Sequence, residues 1–422
     1  MNVRLAYGKH GLKVELPDDA DITILEPRYV EGLPEPEQAV RQALQEPTAG
    51  PPLNERIRPG QSVGIIFSDI TRPVPNQILI PALLEALKET PPEFITLYNA
   101  TGTHRPNTAL ELDTMLGEKI ARNYRIIQND ASDLESHRSI GLTRTGNDML
   151  IHRQLLEEDA LILTGFIEPH FFAGFSGGGK AVLPGMAHLS TVLRNHNAAN
   201  MDNPRATWGV TAGNPIWEEV NEAVEQIRPA FLLNVALNKD KQITAVFSGD
   251  AQAAHAAGCT FVRQTAMAPV EDPFDIVITS NSGYPLDLNL YQSVKGMSAA
   301  AQIVKPGGSI IIAADCWDGV PDHGAFAEIL TGADSPGQLL AMLRSPGYLR
   351  QDMWQAQILA LLREKAEIHV YSENLTDSQI QEAMLIPSTS VSDTVSTLRK
   401  RYGAAARICI LPEGPQTIPY IA

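Results

Sequence analysis

The stretch QSVGIIFSDITRPVP (61–75) decides the fold. It begins with a short apolar run of the kind that lies buried on both faces of a parallel sheet. Ser68 and Asp69 end this run and open a polar loop, after which a helix is predicted over about 76–89. A buried strand that leads through a polar loop into a helix is the repeating unit of an α/β fold.

The same alternation recurs along the chain. Before the break in composition at APVEDP (268–273), strands are predicted at Val3–Tyr7, Gly11–Leu16, 94–99, 124–128, 161–164, 231–237 and 243–247, and helices near 36–45, from about 108, and at 216–227 and 251–268. After the break, strands are predicted at 274–279, 309–314, 367–371 and 406–411, and helices near 288–304, 336–343, 352–365, 376–384 and 391–401.

This pattern predicts an α/β protein, with two α/β domains that have largely parallel sheets and an active-site cleft between them. The N-terminal domain is predicted over residues 1–268 and the C-terminal domain over residues 269–411. The tail of about residues 412–422 is expected to pack back on the N-terminal domain.

Composition excludes several classes of function. The net charge of −16 disfavours binding to nucleic acid. The three cysteines are widely separated, which indicates reduced thiols in a cytoplasmic protein and not a disulfide framework. No apolar segment is long enough to span a bilayer, so we expect a soluble protein without a membrane partner.

A glycine-rich stretch, GFIEPHFFAGFSGGGKAVLPGMAHLSTVLRNH (165–196), carries a lysine and three histidines. Gly174 to Lys180 fits the spacing of a phosphate-binding P-loop, but Ala181 stands where that motif needs Ser or Thr to hold Mg²⁺. The preceding predicted strand also ends too early, so an NTPase is disfavoured. A dehydrogenase that uses free NAD is weakened as well, because no G-x-G-x-x-G follows a predicted strand.

Reactive side chains follow several of the predicted strands. Asp69 and Arg72 follow the first buried strand, His104 follows the next, and His170 follows the strand at 161–164. In open α/β sheets ligands bind beyond the carboxyl ends of the strands, so we expect these residues at one rim. Two histidines suit a reaction that needs a general base and a general acid near neutral pH.

The second half supplies a matching group on a predicted helix, Tyr291, Gln292 and Lys295, which share one helical face. Arg72 and Lys295 are suited to binding a carboxylate. His188 and His196 are eight residues apart, the wrong spacing for a shared metal-binding face. The other histidines are interpreted as structural or surface residues: 10, 137, 152, 255, 323 and 369.

Five motifs together resemble the lactate racemase family, a family of nickel-dependent 2-hydroxyacid racemases and epimerases. They are SDITRPVP (68–75), ATGTHRP (100–106), EPHFFAGFSGGGKAVLPG (168–185), RNH (194–196) and YQSVKG (291–296). The resemblance implies a nickel pincer nucleotide (pyridinium-3,5-bisthiocarboxylic acid mononucleotide nickel), loaded by cofactor-synthesis proteins. It places this cofactor in the N-terminal domain and substrate-binding residues in the C-terminal domain.

The resemblance also implies a role for each matching residue. It makes His104 and His170 the catalytic acid/base pair and His196 the nickel ligand. The substrate-binding residues that it implies are Arg72, Lys295, Gln292, Tyr291 and Trp354. The cofactor-binding residues that it implies are Lys180, which could link covalently, Asp69, Thr71, Ser176, Gly177 and Gly178. His188 receives no role.

The function predicted from this resemblance is inversion of the C2 stereocentre of a 2-hydroxyacid, lactate by default, by reversible hydride transfer to the cofactor. Malate, longer or aromatic 2-hydroxyacids and sugar acids are alternative substrates. A non-catalytic protein that carries the nickel cofactor is a further alternative. Such a carrier would need Lys180 and His196 but neither His104 nor His170.

Overall fold

The computed structural model describes residues 1–58, 60–227, 230–321 and 324–422. The chain divides into two compact units. The central unit comprises Tyr29–His196 and Arg205–Thr265, and the terminal unit comprises Met1–Arg28, Asn197–Pro204 and Ala266–Ala422. Each unit is an α/β structure built around its own sheet.

The strands of the described residues are, in chain order, β1 (Asn2–Leu5), β2 (Leu12–Glu15), β3 (Asp21–Ile24), β4 (Val63–Ser68), β5 (Ile95–Ala100), β6 (Arg125–Gln128), β7 (His137–Leu142), β8 (Asp148–His152), β9 (Ala160–Phe166), β10 (Pro169–His170), β11 (Gly174–Phe175), β12 (Ala230–Leu237), β13 (Ile243–Asp250), β14 (Met267–Val270), β15 (Phe274–Ser280), β16 (Val304–Ala313), β17 (Glu367–Tyr371), β18 (Ile386–Pro387), β19 (Arg407–Leu411) and β20 (Ile418–Ile421).

The α-helices of the same residues are α1 (Pro36–Gln45), α2 (Leu53–Arg56), α3 (Asn76–Ala86), α4 (Ala109–Leu116), α5 (Glu118–Asn123), α6 (Leu189–Asn195), α7 (Ala198–Met201), α8 (Pro215–Gln226), α9 (Ala251–Ala266), α10 (Leu290–Ala301), α11 (Phe326–Thr331), α12 (Pro336–Leu343), α13 (Met353–Lys365), α14 (Asp377–Glu382) and α15 (Val391–Tyr402). None of them is both long and apolar enough to cross a bilayer.

The main sheet of the central unit has the strand order β13-β12-β9-β4-β5-β6. Its strands pair in parallel except for the antiparallel pair of β12 and β13 at one edge. In β4, Val63, Ile65 and Phe67 pack in one apolar cluster and Ile66 in another. Because alternate side chains of a strand point to opposite faces, both faces of this sheet are buried, which explains the continuous apolar run of β4.

The main sheet of the terminal unit has the order β18-β17-β16-β15-β19-β3, with parallel pairing throughout. One face of β15 and β19 packs on the β1–β2 hairpin and on α15 in a single apolar cluster. Strand β3 pairs with β19, and β14 pairs with β20. The α/β class and the largely parallel sheets predicted from the sequence are therefore confirmed.

The units differ from the predicted domains in their sequence ranges. A division after Thr265 lies close to the predicted boundary at residue 268. However, residues 1–28 belong to the terminal unit, because β3 completes the sheet that contains β19. The tail also belongs to the terminal unit, through the pairing of β14 with β20. The three cysteines are buried free thiols.

Three histidine rings lie together within the central unit. The ring of His137 is 5.7 Å from that of His152 and 5.4 Å from that of His188, in edge-to-face geometry. Burial and the neighbouring His137 lower the pKa of His152 to about 4, so its imidazole is neutral near pH 7. Nδ1 of His152 is buried without a hydrogen-bond partner. His323 lies outside the described residues.

We expect the stability of the protein to fall as the pH falls from about 6.5 to about 4. Below pH 6.5 the unfolded chain binds a proton at His152 that the folded chain does not bind until about pH 4. This single group should remove on the order of 3 kcal/mol across that window, at about 1.4 kcal/mol per pKa unit. His152→Phe keeps an aromatic ring and should flatten this part of the curve in urea unfolding. The exposed His10→Phe should not change the slope, and an unchanged slope in His152→Phe would refute the assignment.

Candidate active site

Three neighbouring parallel strands bring the predicted site residues of the central unit to one edge of its sheet. Strands β9, β4 and β5 lie side by side, and the chain leaves each of them at its carboxyl end. Asp69 directly follows β4, His104 lies in the loop after β5, and His170 lies in the segment after β9. The sheet topology thus places at one edge residues that are up to about a hundred positions apart in the sequence.

Asp69 and His104 form a hydrogen-bonded pair at this edge. Nδ1 of His104 lies 2.8 Å from Oδ2 of Asp69, while the Thr71 hydroxyl donates to Oδ1 at 2.8 Å. The side chain of Asp69 is 3% exposed and that of His104 is 42% exposed. The buried carboxylate therefore orients an accessible imidazole and leaves its Nε2 for proton exchange, the role of the aspartate in a catalytic triad.

The protonation state of Asp69 fits this arrangement. Burial by itself would raise the pKa of the carboxyl group. The hydrogen bond and charge of His104, together with the positive charge of Arg72, outweigh burial and hold the pKa of Asp69 below its usual value. Asp69 is therefore ionised throughout the neutral range. This contact with His104 differs from the cofactor contact that the family resemblance implies for Asp69.

His170 lies in a small antiparallel hairpin formed by β10 and β11. The backbone N–H of Ala173 donates to Nδ1 of His170 at 3.3 Å. Gly174 closes the hairpin with a φ of +78°, and a Cβ there would lie 2.1 Å from the carbonyl oxygen of Val210. The position therefore requires glycine.

Phe172, at the tip of this hairpin, contacts three predicted site residues. Its ring is edge-to-face with the ring of His170 at 4.5 Å and with that of His196 at 5.0 Å. Nζ of Lys180 lies 5.5 Å from the centre of the same ring. Asn214 holds the Phe172 backbone by donating from Nδ2 to its carbonyl oxygen at 2.8 Å. From the sequence alone Phe172 has no predicted role, because an aromatic residue in an apolar stretch indicates only burial.

His196 is buried at the end of α6. Its backbone N–H donates to the carbonyl oxygen of Val192 and ends the helix, while His188 caps the opposite end by accepting from the N–H of Ser190. Burial, reinforced by the positive charge of Lys180, lowers the pKa of His196 to about 3. The imidazole is therefore neutral at physiological pH, the form that binds a metal.

A buried carboxylate fixes the chain just before His196. Glu219, on α8, is 3% exposed and accepts four hydrogen bonds from uncharged side chains. The donors are Thr143 and Thr145 to Oε1, and Asn147 and Asn195 to Oε2. Four donors offset much of the cost of burying this charge. Since Asn195 directly precedes His196, this network fixes the end of α6.

The donor set around His196 limits what kind of metal centre could form. Within the described residues, no group of three or more His, Cys, Asp or Glu side chains is arranged to hold a metal ion. A metal bound to His196 would therefore need most of its ligands from a cofactor. A nucleotide that carries its own sulfur and carbon ligands satisfies that requirement, so the residues present fit such a group.

The glycine-rich loop is packed against the protein behind it. The hydroxyl of Ser176 accepts from the N–H of Glu168 and donates to the carbonyl oxygen of Phe166. A Cβ on Gly177 would lie 2.5 Å from Asn234, and a Cβ on Gly178 would lie 2.7 Å from His255. These glycines therefore allow the loop to approach its own unit closely. Whether the loop also contacts a cofactor stays a prediction.

The remaining predicted site residues belong to the terminal unit and come together there. Tyr291, Gln292 and Lys295 lie in the first two turns of α10, which Asn289 caps by accepting from the N–H of Gln292. Trp354 lies on α13, which packs against α10, and the next residue on α13 donates to the backbone carbonyl of Tyr291. These four predicted substrate-binding residues thus belong to the terminal unit, whereas Arg72 belongs to the central unit.

Comparison with known proteins decides the family. Models described as the lactate racemase N-terminal domain and the lactate racemase C-terminal domain match residues 7–209 and 270–418. A lactate racemase of Thermoanaerobacterium thermosaccharolyticum is 35% identical over 423 residues, covering 99% of each chain. A lactate racemase of Lactiplantibacillus plantarum is 37% identical over 381 residues, covering 90% of this chain and 89% of that protein.

The chain belongs to the lactate racemase family. The family predicted from the five motifs is confirmed, and the protein is a racemase, an isomerase. The solved structure of the lactate racemase apoprotein from T. thermosaccharolyticum superposes with a TM-score of 0.93 at 34% identity, covering 99% of this chain and all of that one. A Thermotoga maritima protein shares the fold, with a TM-score of 0.70 at 19% identity over 93% of this chain.

Asp69→Asn should lower the kcat of the racemase about a hundredfold while leaving the fold intact. An amide cannot stabilise positive charge on His104, and general acid–base catalysis typically contributes this much. The measurement is kcat and its pH profile, with Glu111→Gln as the matched control. Glu111 is paired with Arg105 beside the same loop but does not contact His104, so its variant should retain activity. Equal kcat values in the two variants would rule out the positioning role of Asp69.

Proposed function

We propose that this protein inverts the C2 stereocentre of a 2-hydroxyacid, with lactate as the first substrate to test. The observation that carries the proposal is the pairing of an accessible His104 with the buried Asp69, at the sheet edge to which His170 also belongs. A protein that only carried a cofactor would need no oriented imidazole. Lactate is the substrate named for both relatives in the comparison.

The proposed cofactor is a nickel pincer nucleotide. His196 would supply the protein ligand to nickel, because its imidazole is buried and neutral. Lys180 would supply an amine for covalent attachment, with its side chain lying against Phe172 beside His196. When bound, the cofactor supplies reversible hydride transfer at the reacting carbon. Proteins that synthesise this nucleotide would be the partners needed for loading.

Two histidines divide the proton transfers. Because Asp69 occupies Nδ1 of His104, the hydroxyl proton of one enantiomer would move to and from Nε2. His170 would serve the other enantiomer. The backbone N–H of Ala173 lies 3.3 Å from Nδ1 of His170, which leaves Nε2 as the ring nitrogen for proton exchange. The aromatic rings beside His170 and the carboxylate beside His104 give the two groups different surroundings, as a pair that exchanges acid and base roles requires.

Binding of the substrate carboxylate is assigned to Arg72, in the loop after β4, and to Lys295, on α10. A guanidinium offers two parallel N–H donors to a carboxylate, and an ammonium adds a compact charge. Gln292, Tyr291 and Trp354 would contact the rest of the substrate. These assignments predict that Arg72→Lys raises KM more than it lowers kcat.

The function is tested by chiral chromatography of a panel of 2-hydroxyacids incubated with cofactor-loaded protein. We expect inversion of lactate or of another panel member, and its loss by at least a thousandfold in His104→Ala and in His170→Ala. Both variants should retain the cofactor, measured by nickel content. The exposed His10→Ala is the matched control and should be fully active.

No inversion of any panel member by loaded wild-type protein would favour the non-catalytic carrier. Near-normal activity in either His104→Ala or His170→Ala would refute the acid/base pair. Inversion of a larger acid but not of lactate would keep the mechanism and change the substrate.

His196→Ala should lose nickel. Removing the protein ligand leaves the metal attached only through the nucleotide, so we expect at least a tenfold fall in nickel per protein by elemental analysis. His188→Ala is the matched control, since it removes the histidine at the opposite end of the same helix and costs only about 1 kcal/mol of capping. Full nickel occupancy in His196→Ala would contradict the ligand role.

A further inference from the structure

Two buried side chains from late in the central unit hold the glycine-rich loop from behind. His255, on α9, reaches the carbonyl oxygen of Ser176, with 2.8 Å between Nε2 and that oxygen. Asn234, on β12, accepts the N–H of Gly178 on Oδ1 at 2.8 Å. The two contacts clamp the peptide units on either side of Gly177. Neither residue takes part in the proposed mechanism, and the sequence predicts only a structural or surface role for His255.

The position of His255 against the loop determines the tautomer of its imidazole and fills the space beside Gly178. A carbonyl oxygen can only accept a hydrogen bond, so Nε2 of His255 carries the hydrogen. A Cβ on Gly178 would lie 2.7 to 2.9 Å from three atoms of the His255 ring. The ring of His255 therefore occupies the volume that a side chain at position 178 would need, so a glycine is required there as long as His255 is present.

The clamp is connected to Lys180 through a short run of backbone. The N–H of Lys180 donates to the carbonyl oxygen of Gly177 at 3.2 Å, within the 3₁₀ turn Gly178–Ala181. A shift of the peptides around Gly177 would thus move the lysine directly. From this turn the lysine side chain extends to the ring of Phe172.

We propose that His255 is a positioning residue for Lys180: with Asn234 it fixes the glycine loop so that the lysine amine is held at the cofactor site. The inference rests on the proposed role of Lys180 as the cofactor tether. It explains why a buried imidazole is kept in hydrogen-bond contact with this loop. The side chain acts through the loop and touches neither substrate nor cofactor.

The charge state of His255 supports this role. Burial lowers the pKa of its imidazole, the hydrogen bond to Ser176 opposes that effect, and the positive charge of Lys180 adds to it. His255 is therefore neutral at physiological pH. Cys259, whose Sγ lies 3.6 Å from Nε2, is also neutral, because burial raises the pKa of its thiol to about 12.

The test compares three variants of α9. His255→Gln places an amide N–H close to the position of Nε2 and so keeps a donor to the Ser176 carbonyl oxygen. His255→Leu keeps much of the side-chain volume but removes this donor. Val262→Ala is the matched control, a buried truncation on the same helix that makes none of the contacts described for the loop. Amide hydrogen exchange of the peptide covering residues 174–181 reports on the loop in the unloaded protein. Intact mass after expression with the cofactor-synthesis proteins reports covalent attachment.

We expect exchange in this peptide to rise about tenfold in His255→Leu and to stay within about threefold of wild type in His255→Gln and Val262→Ala. Covalent occupancy should fall at least fivefold in His255→Leu and be rescued in His255→Gln. Wild-type exchange and occupancy in His255→Leu would overturn the proposal, as would a His255→Gln variant as impaired as His255→Leu. Absence of added mass in the wild type would instead refute the tether role of Lys180, while the exchange data decide separately on His255.

Discussion

In a parallel sheet every strand ends at the same edge, and the central unit uses this property to assemble its candidate site. The pairing of β9, β4 and β5 carries His170, Asp69 and His104 to one edge, although the chain between them passes through several helices. The apolar side chains of β4 pack on both faces of the sheet and hold these strands in register. The edge itself is left to polar residues, since no strand continues beyond it. The positions of the site residues at this edge thus depend on apolar core residues that take no part in the chemistry.

The residues behind that edge are closely packed, and their side chains are buried. Burial lowers the pKa of both His196 and His255, the positive charge of Lys180 adds to this effect, and both imidazoles are therefore neutral. Glu219 is buried and accepts hydrogen bonds from four uncharged donors. Glycines let the intervening loop pass close to its own unit without leaving a gap.

The sequence predicted the α/β class, nearly all of the longer strands and helices, and the family, because buried parallel strands and short motifs have strong local patterns. It did not predict that β3 joins the sheet of the terminal unit, since a four-residue strand of mixed polarity has no distinctive pattern. It named Asp69 as a site residue but did not predict its hydrogen bond with His104. Phe172 and Asn234 received no role, and His255 was interpreted only as a structural or surface residue. The contacts of Asn234 and His255 join residues 56 and 79 positions apart, and those of Phe172 depend on ring orientation, so none of them leaves a local pattern in the sequence.

The pairing of β3 with β19 has a consequence for the order in which the chain can fold during synthesis. Residues 21–24 leave the ribosome almost 400 residues before their partner strand, Arg407–Leu411. The central unit, complete by Thr265, can close its core while the terminal unit still lacks most of its sheet. Strand β3 therefore stays unpaired until β19 has been made, whereas the β1–β2 hairpin contains both of its own strands. During synthesis the sheet of the terminal unit is thus completed only after the central unit can already have folded.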